Sequence, residues 1–262
     1  MKTDTLRMRA KALRLWGLLD HWDNVAAETW IPTMLDWLEE AQRRRSLEAR
    51  FAKAKLEPFK MMVDFDWAWP KRIPREAVEE LFSLEFMAEG GNVVLLGPNG
   101  VGKTMIAQNI AHQALVRGYS ARFVTASDLL AELSACEGTT SLERALGHYT
   151  RTQLLVVDEI GYLSYSNRAA DLLFQIVSRR YAAKRPMVLT TNRPFAEWNQ
   201  VFPNAACVVT LVDRLMHRGE AINIAGDSFR AKEADDRAAA KETRRKAAKR
   251  KPPAQPPTLE QD

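Results

Sequence analysis

The segment Gly97-Pro-Asn-Gly-Val-Gly-Lys-Thr104 constrains this chain more than any other. It fits G-x-x-x-x-G-K-[ST], and it lies where the mechanism of that pattern requires. The residues before it, Asn92–Leu96, are an apolar run that reads as a buried strand. The residues after it, Lys103–Arg117, read as a helix closed by Gly118. Glycines let the backbone turn so that successive N–H groups face phosphate oxygens, and the helix N-terminus adds partial positive charge. Gly97, Pro98, Asn99, Gly100, Val101, Gly102, Lys103, Thr104 and Met105 are therefore the candidate nucleotide contacts. Lys103 would reach the β- and γ-phosphates, and the Thr104 hydroxyl would ligate Mg²⁺. By average residue frequencies a chance match in a chain this long is roughly one in a hundred, and the strand–helix context lowers that further.

The surroundings predict an α/β fold with a parallel sheet flanked by helices. Arg122–Thr125, Leu154–Val157, Met187–Thr191 and Ala221–Ala225 read as further strands. Ser127 is placed as the cap of a helix carrying Leu129, Leu130 and Leu133, and Asp171–Tyr181 reads as another helix. Continuous β-branched runs joined by helices indicate strands covered on both faces.

Three more places carry chemistry. Asp158 and Glu159 follow the strand Leu154–Val157, at the edge where open α/β sheets bind ligands. Asp158 would orient Mg²⁺ or its water shell, and Glu159 would polarise an attacking water. Asn192 ends the next strand. It is either a turn residue or a hydrogen-bond partner of that water or of the γ-phosphate. Arg214, beside Asp213 and after a strand-like apolar pair, is either half of a surface ion pair or an arginine offered to the nucleotide of a neighbouring subunit.

Composition divides the chain. Residues 1–60 contain a single glycine, Gly17, and read as a small all-helical domain. Leu6, Ala10, Leu13 and Trp16 recur at helical spacing. Pro32 stands near the start of a second helix with Met34, Leu35, Leu38 and Ala41 on one face, continuing through the charged run RRRSLEARFAKAKL. Six of the seven tryptophans fall at or before position 69; the four at 16, 22, 30 and 37 form either a helical core of large side chains, the favoured reading, or a docking surface. Residues 61–80, with two prolines, read as a linker that docks on the domain after it, and 81–230 as that nucleotide-binding domain. Residues 231–262 are too rich in Ala, Lys, Arg and Pro to bury a core, so a basic disordered tail or a fraying helix is expected.

The formal charge of +5 sits in blocks. Residues 2–14 carry five basic and one acidic, 43–60 seven and two, and 241–251 seven and one, whereas 15–40 carry six acidic and no basic. Such blocks are solvated faces or footprints on a phosphate backbone. Two cysteines, Cys136 and Cys207, in no CxxC pair, exclude a zinc ribbon and a disulfide framework and suit a reducing cytoplasm. No apolar run is long enough for a bilayer and the N-terminus lacks a signal-peptide core, so a cytoplasmic protein with no membrane association is expected.

Four stretches together resemble the IstB/DnaC-like branch of the AAA+ ATPases, and above all its IstB-like transposase helpers. They are NVVLLGPNGVGKT (92–104), LLVVDEIGYL (154–163), TTNRPFAEWNQVFPN (190–204) and LVDRLMHRGEAINIAGDSFR (211–230). EARFAKAKLEPFK and Asp64-Phe65-Asp66 extend the similarity to the N-terminal region; the tail lies outside it. The resemblance implies an AAA+ domain with Lys103 and Thr104 in Walker A, Asp158 and Glu159 in Walker B, Asn192 as sensor 1 and Arg214 as arginine finger. It implies ATP and Mg²⁺ as cofactors, ATP-dependent self-assembly on double-stranded DNA, and contact with a cognate transposase. A DnaC-like helicase loader is the alternative within the same branch. Too few residues separate Arg214 from the tail to build the usual helical lid, which leaves Arg230 as a weak substitute for a second sensor. Asp158-Glu159 and Asp213-Arg214 speak against a small-molecule kinase, the lack of an Asn-Lys-x-Asp segment against a GTPase, and the intact acids against a degenerate site.

Overall fold

The structure, a computed structural model, describes residues 2–161, 166–202 and 205–250. In chain order the elements begin with α1 (Lys2–Ala12), α2 (Trp16–Asp20), α3 (Trp22–Val25), α4 (Trp30–Ala54), α5 (Arg75–Leu81) and α6 (Glu85–Glu89). Then come β1 (Asn92–Leu96), α7 (Lys103–Val116), β2 (Ala121–Thr125), α8 (Ala126–Ser134), α9 (Thr139–Arg151) and β3 (Leu154–Ile160). The rest are α10 (Asn167–Ala182), β4 (Met187–Thr191), α11 (Trp198–Val201), α12 (Ala205–Met216), β5 (Gly219–Asn223) and α13 (Phe229–Arg250).

The five strands form one parallel sheet in the order β2-β3-β4-β1-β5. Side chains alternate between its faces, so the apolar runs feed two cores at once. Val94, Leu155, Val157 and Leu189 pack under α8 to α12. Val93, Leu95, Val156, Val188 and Ile222 pack under α7, α5 and the end of α4. The strand order also sets the site: β4 lies between β1 and β3, so the end of β4 falls between the glycine loop and the two acids.

Residues 62–73 dock on the second core through Met62, Phe65, Trp67 and Ile73. A third, small core holds Ala10, Trp22, Ile31 and Leu35. Helix α4 belongs to both: Ile31 and Leu35 serve the small core, while Phe51 and Ala54 serve the core under the sheet. Lys55 ends α4 in the left-handed region at φ 53°.

Several local expectations change. Thr125, not Ser127, caps α8: its hydroxyl accepts from the Asp128 N–H at 3.1 Å, and the helix already begins at Ala126. The apolar pair before Asp213 is helical, inside α12. Helix α9, which the residue patterns did not single out, follows α8 in the chain and packs against α8 and α10. The last strand lies at Gly219–Asn223 rather than at 221–225, in register with β1. Of the four tryptophans expected in the core of the helical region, one, Trp22, joins it. Trp22 is buried, but Trp16, Trp30 and Trp37 are 56%, 48% and 71% exposed. Helix α1 ends at Ala12 and Arg14 turns at φ 57°, which breaks the spacing that would have carried Trp16 inward. Trp30 and Trp37 lie seven apart on α4, off the face that buries Ile31 and Leu35.

The tail is helical as far as Arg250; 251–262 lie outside the described residues. No helix among the described residues is long and apolar enough to cross a membrane.

Candidate functional site

The loop after β1 is built by its glycines. Gly100 and Gly102 have φ of 81° and 98°, where a side chain would be strained. A Cβ at Gly100 would also collide with the Ser228 hydroxyl, and one at Gly102 with the Phe65 ring. The loop turns into α7, whose first residue is Lys103. That side chain is buried, and its ammonium donates at 2.7 Å to the carbonyls of Gly97 and of Pro98. Burial pulls the Lys103 pKa down to about 8; Asp158 and Glu159 oppose the shift, while Arg230 adds to it.

Thr104 donates from its hydroxyl to Asp158 Oδ1 at 3.2 Å. Asp158 is buried at the end of β3, where Thr190 of β4 donates to the same oxygen. Glu159 is exposed and stands at φ 62°. Its position follows from a slip in the β3–β4 ladder. Val157 pairs with Leu189, but the next pair is Ile160 with Thr191, so Asp158 and Glu159 together face Thr190. Asn192 follows β4, and its Oδ1 is buried with no hydrogen-bond partner among the described residues. The residue itself lines the cleft.

These groups share one cleft of about 540 Å³, lined by 99–105, Glu159, Asn192 and Thr190. Gly97 and Pro98 stand behind it as carbonyl partners of Lys103, and Asp158 as the partner of Thr104. Arg214 is not among the lining residues. It projects from α12 onto α10, where it donates to the Ser178 hydroxyl and lies 4.8 Å from the Phe174 ring centre. Among the described residues it makes no ion pair with Asp213.

The rest of the cleft comes from residues that motif reading did not assign. Phe65 and Trp69 of the docked segment face Phe229 and Arg230 at the start of α13. The two segments are fastened together. Arg72 and Ala225 exchange backbone hydrogen bonds at 2.9 Å, and the Trp69 Nε1–H donates to the Asp227 carbonyl at 2.9 Å. Lys60 pairs with Glu233 at 2.9 Å and Lys232 with Asp66 at 3.4 Å. The Phe229 N–H donates to the Gly100 carbonyl, which ties α13 to the glycine loop. So Arg230, expected only as a weak substitute for a lid residue, does stand in the cleft. The aromatic density of 65–69 and the Asp-Ser-Phe-Arg run at 227–230 were the available signals; neither reveals by itself that the two meet.

The set suits a nucleoside triphosphate with a hard cation. Backbone N–H groups and Lys103 are donors that phosphates take, the Thr104 hydroxyl and Asp158 carboxylate are oxygen donors of the kind Mg²⁺ takes, and the rings of Phe65, Trp69 and Phe229 line the other end of the cleft. Of Phe195-x-x-Trp198, the indole is buried and its N–H donates to the Arg193 carbonyl at 3.2 Å, a structural role beside Asn192.

Comparison with known proteins agrees with this geometry. The family model described as IstB-like ATP binding protein matches residues 8–237. The chain is 36% identical over 192 residues to the ATP-binding protein of insertion sequence IS21 from Pseudomonas aeruginosa, covering 73% of this chain and 72% of that one. It is 32% identical over 234 residues to an insertion-sequence ATP-binding protein of Mycobacterium tuberculosis, covering 86% and 93%. Among solved structures, DnaI superposes with a TM-score of 0.53 at 21% identity, over 64% of this chain and 89% of that one. AMPPCP-bound DnaA from Aquifex aeolicus superposes with a TM-score of 0.54 at 21% identity, over 65% of this chain and about half, 51%, of that one. At these identities the structures show the fold alone. With the family model spanning most of its length and a cleft of this form, the chain belongs to the IstB-like ATP-binding proteins, on an AAA+ fold.

Proposed function

We propose that this chain is an ATPase that assembles on double-stranded DNA and assists the transposase of an insertion sequence. One observation carries the catalytic part: Glu159 and Asn192 line the same cleft as Lys103 and as Thr104, whose hydroxyl meets Asp158. Glu159 would take a proton from the water that attacks the γ-phosphorus, while the bond to the β–γ bridging oxygen breaks. Asn192 would orient that water. Thr104 and Asp158 would hold Mg²⁺, which supplies charge neutralisation on the phosphate oxygens. Arg230 adds a positive group from the same chain, and Arg214 would act from a neighbouring subunit, since it is absent from its own cleft.

The insertion-sequence origin of the relatives supports a role in transposition. Exposed Lys11, Arg14, Arg44, Lys53 and Lys55 support a footprint on DNA phosphates, whereas Arg9 is engaged by Asp36 and Glu39 and Arg50 by the Leu115 carbonyl. The helicase-loader alternative has only fold likeness in its favour, at 18% identity to the DnaC helicase loader.

Glu159→Gln tests the reading. It should bind ATP nearly as the parent does, turn over about 10²–10⁴ times more slowly, and accumulate DNA-bound assemblies visible by electron microscopy with ATP but not with ADP. Parent-like turnover would remove Glu159 from this role.

A further inference from the structure

Thr190 is buried on β4, two residues before Asn192, and its hydroxyl serves both acids of the β3 end. It accepts the backbone N–H of Glu159 at 2.9 Å and donates to Oδ1 of Asp158. The need for this follows from the ladder. Where β3 slips against β4, two residues, Asp158 and Glu159, face one. A bulge of this kind leaves a backbone donor without its ladder acceptor. It also leaves Glu159 at φ 62°, in the left-handed region that a non-glycine residue keeps when its surroundings hold it there. The Thr190 hydroxyl replaces the missing acceptor. The same oxygen spends its only proton on Asp158, the carboxylate that also receives Thr104. One side chain thus fixes the backbone that aims Glu159 and the rotamer of the acid beside it.

We infer that Thr190 is the positioning residue of the hydrolytic site: its hydroxyl holds the bulge in which Glu159 faces the cleft and keys that bulge to Asp158. The inference rests on the reading of Glu159 as the group that polarises water. It asks for a hydroxyl at this place. Valine has the same shape and neither hydrogen bond, while serine keeps both.

The test compares Thr190→Val and Thr190→Ser with the parent, each alone and combined with Glu159→Gln. ATP turnover and equilibrium ATP binding are measured on the full chain with DNA. Thr190→Val should bind ATP within about twofold of the parent and lose roughly 10–100-fold in kcat, the range for removing a supporting hydrogen bond from a reacting group. Thr190→Ser should recover most of that loss. In the Glu159→Gln background, Thr190→Val should cost almost nothing further, because two residues acting through one step are not additive. Unchanged kcat in Thr190→Val overturns the assignment. So does a loss that appears equally in ATP affinity, or one that adds in full to that of Glu159→Gln. If parent and Glu159→Gln turn over alike, the fault lies with the hydrolytic reading itself, and the positioning role falls with it. Should Thr190→Val fail to fold, Thr190→Ala against Thr190→Ser carries the same comparison.

Discussion

The two ends of the nucleotide cleft are made in opposite ways. At the phosphate end, eight consecutive residues, Gly97–Thr104, supply the loop, the lysine and the Thr104 hydroxyl. Their conformation is local: glycines at φ 81° and 98° and the first turn of α7. At the other end, Phe65 and Trp69 meet Phe229 and Arg230 across more than 150 positions of sequence. Nothing local holds them there. They are fastened by Arg72–Ala225, Trp69–Asp227, Lys60–Glu233 and Lys232–Asp66. The first end can be specified by a short word in the sequence. The second exists only when the segment before the domain and the helix after it pack on each other.

Arg214 belongs to neither end in its own chain, and it carries the largest expected effect. Arg214→Ala should bind ATP nearly normally and lose about 10³-fold in hydrolysis, the lower figure for an arginine supplied in trans. Mixed on DNA with Lys103→Ala, which keeps a sound Arg214, it should regain part of the activity that each lacks. No recovery despite confirmed co-assembly would leave Arg214 as the partner of Ser178 and Phe174 only.

Next in size is the phosphate end itself. Lys103→Ala should weaken ATP binding roughly 100-fold, the loss of about two charge-assisted hydrogen bonds. Titration calorimetry should show the same factor for tripolyphosphate, which lacks a base. The opposite end should behave differently. Trp69→Ala should weaken ATP about tenfold, within the range for one stacked base, and leave tripolyphosphate binding unchanged. Equal losses for both ligands would erase the distinction between the two ends.

The smallest effect is one of pH. The buried Lys103 has its pKa lowered to about 8 from 10.5, so its charged form is disfavoured by folding. Below about 8 both folded and unfolded chains carry the proton and the cost is fully present; it is relieved as pH rises from 8 to 10.5. ATP needs the charged form, so affinity should fall a few-fold between pH 7.5 and 9 in the parent. The fall should be absent in Lys103→Ala. A pH-independent affinity in the parent would contradict the shifted lysine.

Much of the fold was legible because its signals are short-ranged. β1 and β4 stand where their apolar runs end, and Lys103 opens its helix immediately after the glycines. The misreadings came where two local patterns look alike. Leu211-Val212 suits a strand or a buried helix, and packing of α12 on α10 chose the helix. Trp30 and Trp37 suit a core, but α4 buries the adjacent face.

The sequence by itself determined the phosphate loop, the acids at a strand end and the alternation that makes a parallel sheet, because each is set by neighbours within a turn or two of chain. Tertiary structure decided the rest. Insertion of β4 between β1 and β3 brought Asn192 between loop and acids, and made Thr190 the acceptor for Glu159. Docking of 60–72 on the start of α13 closed the far end of the cleft and placed Arg230 inside it. Strand order and long-range docking are fixed by which buried surfaces fit together, a property of the packed whole that no short stretch of residues carries.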